Sequence, residues 1–314
     1  MTFRALYESG ELERVIDEKN PHIDNVLFAL CFLCDDRFFF EKTKELVKTL
    51  DKKWIPRIAL FRAVKSLNCG HFDIAEKQLN TFKEDTLIIG QLDSFYVSLF
   101  RLLKKLISLK FDASVSQFSE DSCLIGDSHC ISLSYVWQGD QRNICYLPGF
   151  ALRGLSFPEV TSYSAALRNS VVFYQRRTKL VFTVGEIDAR NNYLYADKIL
   201  RNPNHKKQIF GTIESGLTKV FSYKAPYQSY YLFALPGFNK NLIPEGQISS
   251  EAEIKELYLF FIETFQQTAE KIGFKVIDYK DILKNHHVEN LIDHAHLHPS
   301  LYQEIIEGYS KLNP

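Results

Sequence analysis

Near residue 120 the hydrophobic pattern of this chain changes period, and that change limits its folds more than any other feature. Before it, apolar residues recur at helical spacing. In "WIPRIALFRAVKSL" (54–67), Ile58, Phe61, Ala63 and Leu67 return to one face. After it, short runs rich in Val, Ile, Tyr and Phe alternate with longer helical stretches. The strand candidates are Cys123–Gly126, Asn143–Leu147, Leu180–Val184, Tyr230–Leu235 and Phe274–Tyr279. Helices are expected near 158–176, 204–221 and 251–272, with a last one after Pro299. Alternation of this kind predicts an α/β fold in which a five-stranded parallel sheet is covered on both faces, a three-layer flavodoxin-like arrangement. The expected division is an all-α helical-hairpin domain over 1–118 and an α/β domain over 119–314.

In the first half, "NCGHFD" interrupts the helical pattern and "IAEKQLNTF" resumes it, as a short polar turn between antiparallel helices would. An offset of 34 residues places Ala29 on Ala63, Leu33 on Leu67, Phe38 on Phe72 and Phe40 on Ile74. Together with Gly70, Phe72, Ala75 and Leu79 in "GHFDIAEKQL", this resembles a degenerate tetratricopeptide repeat. The first copy is the poorer match, with Glu41 where the small residue belongs. A helical bundle without repeat ancestry reads equally well. Either way these helices carry no chemical constellation, and their expected role is packing or binding a protein partner.

Lys plus Arg and Asp plus Glu are both 38, so the formal charge is zero. That argues against nucleic acid or an anionic membrane surface as the main partner, since both select a basic excess. The longest apolar run, "VLFALCFLC" (26–34), is too short to span a bilayer, and the first residues show no apolar signal region. Six cysteines scattered through 314 residues read as reduced, buried thiols of a cytoplasmic protein. Cys31 and Cys34 form a CxxC inside an apolar helix, without the second pair a zinc site needs.

Two segments carry chemistry. In "CLIGDSHCISL" (123–133), Ser128 falls between a strand and a helix start. Its backbone N–H would then lie at the positive end of a helix, where an oxyanion is stabilised, and Gly126 leaves room for an acyl group. A serine also needs a base to act as a nucleophile. In "NLIDHAHLHPS" (290–300), Asp293 precedes His296 by three residues, so the carboxylate can orient the imidazole. The same loop contains His294, His296 and His298, an HxHxH that in extended backbone would present three imidazoles to a zinc or iron ion.

"GDS" after the first strand and "DxxH" before the last helix, in a five-stranded α/β layout, resemble the SGNH or GDSL hydrolase family. The resemblance spans 120–314 in layout, though few residues match. It implies a triad of Ser128, Asp293 and His296, acyl transfer through an acyl-serine, and an oxyanion held by the Ser128 N–H and a glycine N–H after the second strand. Gly154 is the candidate for that glycine, with Gly149 the alternative. The family's GxND block is replaced here by "GEIDAR" (185–190), which puts Ile187 where the oxyanion-binding Asn belongs. Losing one such donor costs about 2.7–4 kcal/mol, and Arg190 is the expected substitute, positioned by Glu186 or Asp188. The three could equally form a structural salt-bridge network. "GEIDxR" also resembles SGNH-like proteins of bacterial surface-polysaccharide clusters. His129 would line the pocket. The resemblance implies a carbohydrate or small O-acyl ester as substrate, with water or a sugar hydroxyl as acceptor, and no cofactor or metal. Two other readings stay open: a non-catalytic binding protein acting through its helical half, and a metal-dependent hydrolase built on the HxHxH.

Overall fold

The computed structural model describes residues 23–32, 36–90, 92–109, 121–133, 144–157, 162–236, 238–278, 296, 300–302 and 304–305. Its centre is a five-stranded sheet of β1 (Ser122–Gly126), β2 (Ile144–Tyr146), β3 (Lys179–Thr183), β4 (Ser229–Phe233) and β5 (Lys275–Ile277), in the order β2-β1-β3-β4-β5. Every pairing is parallel. In register, Leu124 lies opposite Ile144 on one side and Val181 on the other.

Parallel sheets need apolar cover on both faces, and side-chain alternation supplies it. Cys123, Ile125, Leu180, Phe182, Tyr230 and Leu232 point into one core. Leu124, Val181, Tyr231 and Phe233 point into a second, closed by Cys130 and Leu133 and by Leu301, Tyr302 and Ile305 of the last helical segment. The fold is therefore α/β with a fully parallel sheet, as the strand and helix alternation predicts. Each expected strand is found within about two residues of its expected ends.

The chain runs from β1 to β2 on one side and then crosses to β3 on the other. Doubly wound sheets bind ligands where the order reverses in this way, at the carboxyl ends of the strands. Gly126 sits at that point because nothing larger fits: a Cβ there would stand 2.0 Å from Thr183 Oγ1 and 2.1 Å from Thr183 O.

Among the described residues, five α-helices precede the sheet: α1 (Ile23–Phe32), α2 (Asp36–Thr49), α3 (Ile55–Asn68), α4 (Phe72–Leu79) and α5 (Asp93–Ser108). Ile58, Phe61, Ala63 and Leu67 of α3 are all buried, as their spacing predicts. The helices do not rely on apolar packing alone. Arg57, fully buried on α3, donates through Nη1 to both carboxylate oxygens of Asp24 at 2.9 Å, and through Nη2 to Asp93 Oδ1 at 2.5 Å and Leu87 O at 3.1 Å. The Tyr96 ring lies 4.1 Å below the guanidinium, and its hydroxyl donates to Asp24. One arginine thus ties α1, α3 and α5 together.

The apolar core of these helices is continuous with one face of the sheet: it runs unbroken from Ile23 to Phe274. Helix α1 packs on β2, and α3 touches α6 (His129–Leu133), the helix that begins just after Ser128. The expected boundary at 118/119 falls outside the described residues, as does Cys34 of the CxxC.

The later helices are α7 (Leu152–Leu155), α8 (Ser162–Phe173), α9 (Glu186–Leu194), α10 (Ala196–Leu200), α11 (His205–Phe221) and α12 (Glu251–Ile272). Helix α12 starts with a capping box, in which Ser250 Oγ accepts from Glu253 N while Glu253 Oε2 accepts from Ser250 N. Helices α9 and α10 have no counterpart among the expected elements. "EIDARNN" lacks an apolar stripe at helical spacing, and here the helix is set by Gly185, whose positive φ of 101° turns the chain out of β3. Among the described residues no helix is long and apolar enough to cross a membrane.

Candidate active site

The site forms at the carboxyl ends of β1 and β3. Beyond β1 the chain turns at Asp127, whose backbone N–H donates to Thr183 O at 3.1 Å. Cys130 N then donates to Asp127 O at 3.0 Å and Ile131 N to Ser128 O at 3.1 Å, starting α6. Ser128 therefore stands at a strand-to-helix turn, half-buried, as the sequence predicts.

Its partner comes from 168 residues further along the chain: His296 Nε2 lies 2.8 Å from Ser128 Oγ. His296 is buried. Its ring lies against that of His129, with centroids 4.8 Å apart and planes tilted by 35°. His129 is fixed in turn by Asp127. Oδ1 of Asp127 accepts from His129 N at 3.0 Å and lies 3.1 Å from His129 Nδ1. The structure thus pairs Ser128 with a histidine and backs that histidine with a second imidazole. Asp293, His294 and His298 lie outside the described residues.

The GEIDAR segment divides its work. Glu186, buried at the start of α9, faces Arg190 one turn later, with Oε2 to Nη2 at 3.4 Å. Asp188 goes elsewhere: its carboxylate accepts from Leu152 N at 2.7 Å and Arg153 N at 3.0 Å, capping α7 from another element. Burial raises its pKa to about 6 against the pull of those N–H donors. Of the two carboxylates offered as positioners of Arg190, Glu186 is the one beside it. Asp188 instead fixes the turn after β2, a role its sequence position does not reveal because the partners are 35 and 36 residues away.

That turn contains both glycine candidates. The Gly154 N–H donates to Ala151 O at 3.1 Å inside α7. Gly149 occupies the tight turn straight after β2 with a φ of 69°, and among the described residues nothing accepts from its N–H. Leu147 N donates to Gly126 O at 2.7 Å, which holds this turn beside the end of β1.

Two cavities lie among the described residues, one at the site and one that meets its segments at Arg153 and Asp188. A small one of about 20 Å³ lies beneath the turn and is bounded by Asp127, His129, Thr183 and Glu186, with Phe233 and Tyr302 among its apolar walls. A broad groove of about 890 Å³ runs along α7, α9, α10 and α11, where Arg153, Asn191, Asn192, Tyr195, Lys198 and Asn202 line it. Sequence reasoning did not find the groove, since its residues come together only when these four helices pack side by side.

The chain matches no protein-family model, no curated protein and no solved structure. The chemistry must be read from these residues.

Proposed function

We propose that the chain is a serine hydrolase of SGNH type, forming an acyl-Ser128 intermediate. The observation that carries this reading is the 2.8 Å contact between Ser128 Oγ and His296 Nε2 at the carboxyl end of β1. With the imidazole proton on Nδ1, Nε2 accepts the Ser128 proton as Oγ attacks the ester carbonyl. His296 then returns that proton to the departing alkoxide as the C–O bond breaks, leaving acyl-Ser128 and a free alcohol. Water attacking the acyl-serine completes ester hydrolysis; a sugar hydroxyl in its place gives O-acyl transfer.

Asp293 is the proposed orienter of His296. The Ser128 N–H at the start of α6, together with an N–H from the Gly149–Gly154 turn, is the proposed oxyanion site. Arg190 is the proposed replacement for the missing amide donor, held in reach by Glu186. Two features support a carbohydrate ester as substrate: the amide-rich composition of the 890 Å³ groove and the exposed Tyr195 ring along it. The helical half, through its contact with α6, is proposed to brace the nucleophile turn as well as to offer a surface to a protein partner.

Intact-mass labelling with a fluorophosphonate tests the reading. A single adduct that disappears in Ser128→Ala and falls about 100-fold or more in His296→Ala is the expected result. No adduct, under conditions that label a serine esterase control, would refute it in favour of a binding protein that keeps the fold without the reaction.

A further inference from the structure

The small cavity beneath the nucleophile turn has an arrangement that the acyl-transfer steps do not use. Three potential ligand groups converge on it, from Asp127, His129 and Glu186, all buried and all within 4.8 Å of one another. Asp127 is 1% exposed, and its Oδ2 finds no hydrogen-bond partner among the described residues. A buried carboxylate oxygen without a partner costs about 1–3 kcal/mol or more, so an orphan in a cavity wall points to an occupant. Around it are a second buried carboxylate, an imidazole and the Thr183 side chain, with apolar residues closing the far side. We propose that this cavity is a binding site for one divalent first-row metal ion, with Asp127 Oδ2, a Glu186 carboxylate oxygen and a His129 ring nitrogen as ligands.

Size, charge and ligand type agree. About 20 Å³ accommodates one water-sized particle, which excludes a polyatomic anion or an organic cofactor. Two carboxylates bring two negative charges into a place walled by apolar side chains, with Arg190 Nη2 3.4 Å from Glu186 Oε2. A divalent ion neutralises the pair where the low dielectric makes the attraction strongest. A mixed set of one imidazole and two carboxylates suits zinc, manganese or iron(II) better than calcium or magnesium, which select all-oxygen shells.

The spacing is close to what binding needs. Ligands 2.0–2.2 Å from a tetrahedral zinc stand about 3.3 Å apart. The Asp127 carboxylate already lies beside the His129 ring, with the other oxygen, Oδ1, 3.1 Å from Nδ1. One ligand atom from each of the three residues lies within 4.8 Å of the others, a spread that side-chain shifts of about 1 Å would close. The ion would hold His129 rigid, and through the ring contact with His296 it would limit the tilt of the proposed base. Its role is to position the dyad, and none of its three proposed ligands belongs to the HxHxH motif.

The inference does not depend on acyl-enzyme chemistry, so its test uses the full-length Ser128→Ala chain as well as the natural one. Both are stripped with chelator and titrated with Zn²⁺ against a chromophoric chelator, with the melting temperature as a second readout. The expected result is one ion per chain in both proteins, with a raised melting temperature. Binding should weaken about 100-fold or more in Asp127→Asn and in Glu186→Gln, and should survive in the His294→Ala/His298→Ala double variant. Retained affinity in the folded Glu186→Gln protein, or loss in the double histidine variant, would overturn the site. So would an absence of saturable Zn²⁺ binding by the natural chain, which would leave the cavity to a single water. Fluorophosphonate labelling reports separately on Ser128, so failure of either reading is visible without the other.

Discussion

Asp188 makes stability depend on pH in a direction opposite to that of most carboxylates. Its carboxyl titrates at about 6 in the fold because burial outweighs the Leu152 and Arg153 N–H bonds, against 3.8 in the open chain. The folded state therefore holds a proton that the unfolded state has released between those values. The associated stability is complete below pH 3.8 and is lost as pH rises through about 6. The difference corresponds to about 3 kcal/mol, of which about 2 kcal/mol falls between pH 4.5 and 7.5.

The perturbation is Asp188→Asn, which keeps the shape and cannot ionise. Urea-unfolding curves of both proteins at half-unit steps over that range give the stability difference at each pH, so the other titrating groups cancel. The natural protein should lose about 2 kcal/mol relative to the variant as pH rises. Near pH 7 the variant carries its own constant penalty, because an Asn amide can accept from only one of the two N–H groups, and an unmet donor costs about 1–3 kcal/mol. Parallel curves, with a constant offset and no relative slope, would show that Asp188 titrates normally and that burial does not dominate its environment.

Gly126→Ala should lower the unfolding midpoint severely or leave the chain insoluble, since its Cβ would sit 2.1 Å from a backbone carbonyl of β3; a shift under 2 °C on about the scale of a surface change would refute the close approach. Arg57→Met removes the cation between Asp24 and Asp93 and should cost about 3–5 kcal/mol, read by thermal unfolding. The companion Arg57→Met/Asp24→Asn/Asp93→Asn variant should recover part of the loss, and no recovery would mean that packing rather than charge holds α1, α3 and α5. For the proposed reaction, Arg190→Gln should slow fluorophosphonate labelling about 100-fold or more with little change in melting temperature; an unchanged rate would assign Arg190 to a structural pair with Glu186.

The strands were legible in the sequence because a parallel sheet buried on both faces leaves a local mark: "CLIG", "LVFT" and "YYLF" are nearly all apolar, and each is preceded by a polar residue, Ser122, Lys179 and Ser229. Helices α3, α11 and α12 were legible for the complementary reason, a repeat at 3.6 residues. Ser128 was legible as a turn residue since Gly and Asp precede it directly after an apolar run. Helices α9 and α10 were not, because "EIDARNN" owes its helical form to Gly185 and to cross-chain bonds rather than to an apolar stripe.

What the sequence determined by itself is therefore local: where the period changes, which runs are strands, and which residues are chemically able to act. Tertiary structure decided what meets. It set His296 against Ser128 across 168 residues, sent Asp188 to the amides of α7 rather than to Arg190, and closed Asp127, His129 and Glu186 around one cavity. The physical reason is that backbone propensity and apolar period act over a few neighbouring residues. A buried polar group, by contrast, takes its partner from whatever the sheet order and helix packing bring within about 3 Å, and no short window of sequence contains that information.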